Sequence, residues 1–130
     1  MYGGQGCGSG CALEKTFTNL PPHSEVFVEV YVVTLDSWDQ DGSYGRDHVA
    51  VEIDGTTHGK FYAGSLNPAN QGSGVCAIYG HRDSGPYVCV AYAPHVNSSI
   101  TIKVRANVSE DSGGYSDEYL GIVAAKLYLR

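Results

Sequence analysis

Between Glu25 and Leu35 valine recurs at every second position, Val26, Val28, Val30 and Val32, within a run of β-branched and aromatic residues interrupted only by Glu29. A period of two puts all four valines on one face of an extended strand, whereas a helix would scatter them around its axis. Their side chains are also stiff at χ1 and favour a pleated surface. The alternate positions carry Phe27, Tyr31 and Val33, so both faces are largely apolar and the run reads as a central strand.

Shorter runs repeat the signature. Leu13, Lys15 and Phe17 alternate with polar residues before Leu20-Pro21-Pro22-His23 breaks the pattern, and Val49, Val51 and Ile53 alternate strictly, as in a sheet with one wetter side. Asp54-Gly55 marks a hairpin turn. Further strands are expected at 56–62, 75–79, 87–92, 100–105 and 120–129, separated by Gly, Asn, Ser and Pro, with a surface loop over 62–73. With 17 Gly and 10 Tyr and no amphipathic helix in 130 residues, the expected fold is all-β: a two-layer antiparallel β-sandwich, jelly-roll-like, of about eight strands. It occupies residues 12–130 behind a Gly- and Cys-rich tail over 1–11.

The long strand runs into Asp36-Ser37-Trp38-Asp39-Gln40-Asp41-Gly42. Asp36, Asp39, Asp41 and Asp47 repel one another unless water or an ion screens them, and Ca²⁺ takes six to eight oxygens. The loop is not an EF-hand, because Tyr44 and Ala50 stand where that loop needs Gly and Glu, and no helices flank it. The expected cage draws on this segment and borrows Asp117 or Glu118 from the last loop. The alternative is that the aspartates form turns and caps by bonding their own backbone.

Cys7, Cys11, Cys76 and Cys89 lack zinc-site spacing and read as disulfides, with Cys76 to Cys89 bridging two strands and Cys7 pairing Cys11 or tying the tail to a neighbour. Asn97-Ser98-Ser99 and Asn107-Val108-Ser109 are N-glycosylation sequons. Together these features predict an extracellular or cell-surface location. Met1-Tyr2-Gly3-Gly4 is not the start of a signal peptide, so a leader is expected to have been removed or to lie outside this sequence. A net charge of −6 without a basic cluster argues against nucleic acid, and no apolar run is long enough for a transmembrane helix.

Phe17 with Leu20-Pro21-Pro22-His23, the alternating strand, Asp36-Ser37-Trp38-Asp39, the strand ending Asp54-Gly55, and Asp117-Glu118-Tyr119-Leu120-Gly121-Ile122 together resemble a pattern in extracellular calcium-binding β-sandwich modules of ciliate, other protist and bacterial surface proteins. The resemblance covers nearly the whole chain in order. It implies a jelly-roll-like module of repetitive surface proteins without known catalytic activity. Leu120 departs from the usual aromatic, and Val123-Ala124-Ala125 from a more polar stretch.

Catalysis is not expected. His23, His48, His58, His81 and His95 show no metal-ligand spacing, and no nucleophile elbow or phosphate loop is present. The leading expectation is a structural or adhesive subunit whose tail reaches another copy of itself in a homo-oligomer, coat or fibre. The alternative is a carbohydrate-binding module with Tyr44, Tyr62 and Tyr115 as a stacking platform for glycans.

Overall fold

The computed structural model describes residues 12–35, 47–62, 84–108 and 119–130. They form seven strands: β1 (Ala12–Phe17), β2 (Glu25–Leu35), β3 (His48–Ile53), β4 (Thr56–Tyr62), β5 (Ser84–Pro94), β6 (Ile100–Asn107) and β7 (Tyr119–Leu129). Two antiparallel sheets stack as a sandwich, one ordered β1-β6-β3-β4 and the other β5-β2-β7. Every connection except the β3–β4 hairpin passes from one sheet to the other, the jelly-roll-like feature. The eighth expected strand, 75–79, lies outside the described residues, as does the tail.

Val26, Val28, Val30 and Val32 face inward from the central strand β2 with no more than 1% exposure, opposite Val49, Val51, Ile100, Ile102 and Val104. At about 1.5–3 kcal/mol for each fully buried aliphatic side chain, this layer is the main stabilising term. The hairpin is a two-residue turn in which Asp54 (φ 48°) and Gly55 (φ 80°) both adopt positive φ, as the type I′ geometry requires.

The sheets close tightly along one side and gape along the other. A Cβ at Gly59 would lie 2.7 Å from the Phe61 ring and 3.2 Å from the Val90 carbonyl oxygen, so glycine lets β4 lie against the β5 backbone. On the far side, Leu13, Phe17, Ile122 and Leu127 line an apolar groove of about 310 Å³ between the edge strands β1 and β7.

Cys89 is a free thiol with no exposure, set among the valines; its expected bridging partner Cys76, with Cys7 and Cys11, lies outside the described residues. Burial pushes the Cys89 thiol up from 9.0 to about 12. Between those values the unfolded chain loses this proton and the folded chain keeps it, so the contribution to stability is whole below pH 9 and falls at about 1.4 kcal/mol per pH unit above it. Urea melts from pH 8.5 upward are expected to show a shallower alkaline decline in Cys89→Ala than in the wild type. Parallel declines would place the thiol elsewhere.

Candidate functional site

The outer faces of the two sheets differ in chemistry. The four-stranded sheet presents ion pairs to solvent, Lys103 Nζ to Glu14 at 3.2 Å and Arg105 Nε to Glu52 at 3.1 Å, beside a hydroxyl pair of Thr16 and Thr101 at 2.9 Å. The three-stranded sheet presents Phe27, Val88, Val90, Tyr92 and Tyr128, between 36% and 73% exposed. Large apolar groups gathered on one exposed face mark an interaction surface, whereas scattered ones do not.

Strand register arranges these side chains in rows. Phe27 lies opposite Tyr92 on one side and Tyr128 on the other, giving an aromatic row across β5, β2 and β7. The Phe27 and Tyr128 rings meet at 5.9 Å between centroids, tilted by 59°. Val90, Glu29 and Lys126 form the next row, and Val88, Tyr31 and Ala124 the one after. Around the aromatic row is a shallow depression of about 460 Å³ rimmed by Glu25 and Arg130.

Glu29 is the polar centre of this face. Its Oε2 accepts from the Tyr31 hydroxyl at 3.0 Å and the Tyr128 hydroxyl at 3.3 Å, with Lys126 Nζ 3.9 Å away. The ammonium also donates to the Tyr31 hydroxyl at 3.4 Å and lies 4.9 Å from the centre of that ring. This hydrogen bond, ahead of the electrostatic effects of the Tyr31 and Tyr128 hydroxyls and of Glu29, raises the Lys126 pKa against a small opposing desolvation. Lys126 therefore stays a cation, and the face offers rings, one carboxylate, one ammonium and two phenolic hydroxyls held in fixed relation.

The end of the sandwich beside the aromatic row is clamped. His23 Nδ1 is 2.6 Å from the Pro21 carbonyl, His23 Nε2 is 2.7 Å from His95 Nδ1, and His95 Nε2 is 3.1 Å from Asp54 Oδ2. Asp54 Oδ1 accepts from the Thr101 amide at 2.8 Å. The chain ties together the β1–β2 loop, the β3–β4 turn and the β5–β6 connection, and it explains why Leu20-Pro21-Pro22-His23 interrupts the strand pattern. All four ring nitrogens are engaged, which leaves none for a substrate, so this His-His-Asp series is structural. Ladder bonds from Ser24 and Glu25 to Arg130, and from His95 to Ser24, finish the same end.

Among the residues expected to bind a metal, only Asp47 is described, and it is fully buried. Asp36, Asp39, Asp41, Asp117 and Glu118 lie outside the described residues, among which no three His, Cys, Asp or Glu side chains converge. The strand ends that carry these segments are neighbours, since Leu35 pairs with Tyr119 and His48 with Asn107. Of the expected stacking residues, Tyr44 and Tyr115 and the side chain of Tyr62 lie outside the described residues; the rings exposed side by side are instead Phe27, Tyr92 and Tyr128. Their signal was present in the outward apolar positions of β2, but choosing its partners needed the register. Asn97 is exposed, whereas Asn107 is half-buried with its amide 2.9 Å from His48 Nε2.

Solved structures of similar fold include a sugar-binding domain. The chain is similar to the C-terminal domain of EclA, described as a sugar-binding protein, with a TM-score of 0.55 and 17% identity over 95% of this chain and 70% of that one. It is also similar to part of a family GH115 4-O-methyl-alpha-glucuronidase with specificity for decorated arabinogalactans, with a TM-score of 0.51 and 16% identity over 95% of this chain and 14% of that one. A third likeness is to the CBM36-1 domain of a multidomain xylanase from the hindgut metagenome of Trinervitermes trinervoides, with a TM-score of 0.47 and 17% identity over 98% of this chain and 86% of that one. No family model matches the sequence. No curated protein matches it either. At these identities the likeness concerns the β-sandwich fold.

Proposed function

We propose that this chain is a non-catalytic carbohydrate-binding module that works outside the cell and takes its glycan on the outer face of the β5-β2-β7 sheet. The observation that carries the reading is the exposed row Tyr92, Phe27, Tyr128 beside the Glu29 centre. Aromatic rings stack against the C–H faces of pyranoses, while a carboxylate, an ammonium and phenolic hydroxyls match sugar hydroxyls as both donors and acceptors. The likeness to a sugar-binding domain supports the same reading. The subunit role expected from residues 1–11 lies outside the described residues, and the exposed aromatic row favours sugar binding as the leading interpretation.

Electrophoresis through native gels containing xylan, mannan, hydroxyethylcellulose or arabinogalactan tests the proposal. Retardation in at least one gel, relieved by Tyr92→Ala, is the expected result; equal mobility in all of them would reject it.

Calcium is proposed as a stabiliser of the acid-rich end, supported by the complete burial of Asp47 and by the adjacency of the strand ends around it. An ion that binds only the folded state raises its stability by RT ln(1 + [L]/Kd), so EGTA is expected to lower the melting temperature and added calcium to restore it. An unmoved melt would mean that the aspartates serve as turn formers.

A further inference from the structure

The aromatic row fixes how much of a sugar chain it can hold, an inference that rests on the sugar-binding role proposed above. Neighbouring strands are about 4.8 Å apart, so Tyr92 and Tyr128, with Phe27 between them, are separated by about 10 Å at the backbone. That span is close to the length of a disaccharide. A single pyranose covers one of the two outer rings and leaves the other wet.

Charge on the face narrows the ligand further. Glu25 lies 3.8 Å from Arg130 and Glu29 lies 3.9 Å from Lys126, so two acids offset two bases. With no net charge, the depression has no reason to select an acidic or an amino sugar. Position argues against a bridging ion. Phe27 is near the start of β2, and the strand runs eight residues further to Leu35, where the acid-rich segment begins. At about 3.3 Å per residue those points are about 26 Å apart. An ion held beside Leu35 would be too far away to touch a sugar stacked on Phe27.

We propose that the face binds an internal run of at least two sugars of a neutral, extended glycan chain, and that it does so without a bridging cation. Recognition then depends on chain length and shape, in contrast to a site that grips a terminal sugar diol through a metal.

Calorimetric titration with cello-, xylo- and manno-oligosaccharides, each series beginning at its monosaccharide, tests both halves, run once in calcium and once in EGTA. The expected result is an affinity that rises about tenfold or more from monosaccharide to tetrasaccharide in the preferred series, with the same Kd in both buffers. If EGTA loosens the fold, the titration is repeated without it, with calcium stepped from about 0.1 to about 1 mM, the range of extracellular calcium modules. A constant Kd then supports the proposal. A monosaccharide that binds as tightly as the tetrasaccharide, or a Kd that tightens with calcium, would overturn it while leaving the sugar-binding role intact. No retardation by any polysaccharide gel and no binding of any oligosaccharide would overturn both, and self-association through this face would then identify its occupant as a second copy of the chain.

Discussion

Replacing Tyr92 by alanine is expected to weaken glycan binding about tenfold, a loss of about 1.4 kcal/mol, while leaving the fold intact. Tyr92 is 73% exposed, so its ring contributes little to the core and stands ready for a ligand. Exposed substitutions away from buried features usually shift stability by less than about 0.5 kcal/mol. Tyr128→Ala is expected to cost at least as much affinity, because it removes a ring from the row and the hydroxyl that bonds Glu29. The double variant should show no measurable binding, since no outer ring remains. Lys103→Ala, on the opposite sheet, is the control and should bind as the wild type. Equal affinity in the Tyr92 variant and the wild type would move the sugar off this face.

The second large effect concerns folding. His95→Ala is expected to cost about 2–4 kcal/mol and to lower the melting temperature by about 10 °C. The imidazole is 5% exposed and joins His23 to Asp54, so its removal takes the protein partner from His23 Nε2 and from one Asp54 oxygen and opens a gap between three loops. The conservative comparison is Asp54→Asn. Between the Pro21 carbonyl and a carboxylate, the series of four ring nitrogens needs three N–H groups, one more than two neutral imidazoles hold. The amide introduced by that substitution supplies an N–H of its own toward His95 and keeps an oxygen for the Thr101 amide, and asparagine tolerates the positive φ. Asp54→Asn is therefore expected to cost less than about 1 kcal/mol and Asp54→Ala clearly more. Chemical denaturation of the three variants checks the ranking. A His95→Ala protein as stable as the wild type would show that the clamp is decorative.

Much of the fold was readable in the sequence because alternation and turn chemistry are local. The valines of β2 fixed both its identity and its central place, Asp54-Gly55 fixed the hairpin, and Val49, Val51 and Ile53 fixed the inward face of β3. Strand partners were harder to read, since the jelly-roll-like crossings join segments far apart in the chain. Leu20-Pro21-Pro22-His23 stood out as a motif, yet its role depends on His95, 72 residues beyond His23, and on Asp54, 41 residues before His95. The aromatic row was hidden for the same reason. Phe27, Tyr92 and Tyr128 sit on three strands, and only the register places them side by side. Local patterns pointed instead to tyrosines near loops.

The acidic segment was the most conspicuous polar feature, and it drew attention to one end of the sandwich while the exposed rings lie near the other. On the proposed reading two tasks are divided within one small domain. The strand ends at Leu35 and Tyr119 lead into the acid-rich segments proposed to hold a stabilising ion, and the clamped end presents a rigid surface. Rigidity there favours binding because less side-chain freedom is lost when a ligand lands. Glu29 holds two tyrosine hydroxyls and faces Lys126, so the face is ordered without a ligand, as the proposed sugar site requires.

Mapping the sugar-induced shifts of backbone amide resonances in the isotopically labelled protein tests the central claim most directly. Titration with the preferred tetrasaccharide should move the resonances of Phe27, Glu29, Tyr92, Lys126 and Tyr128 and leave those of Leu35, His48 and Asn107 unchanged. Shifts gathered at Leu35, His48, Asn107 and Tyr119 would place the sugar at the acid-rich end and contradict the assignment of this face.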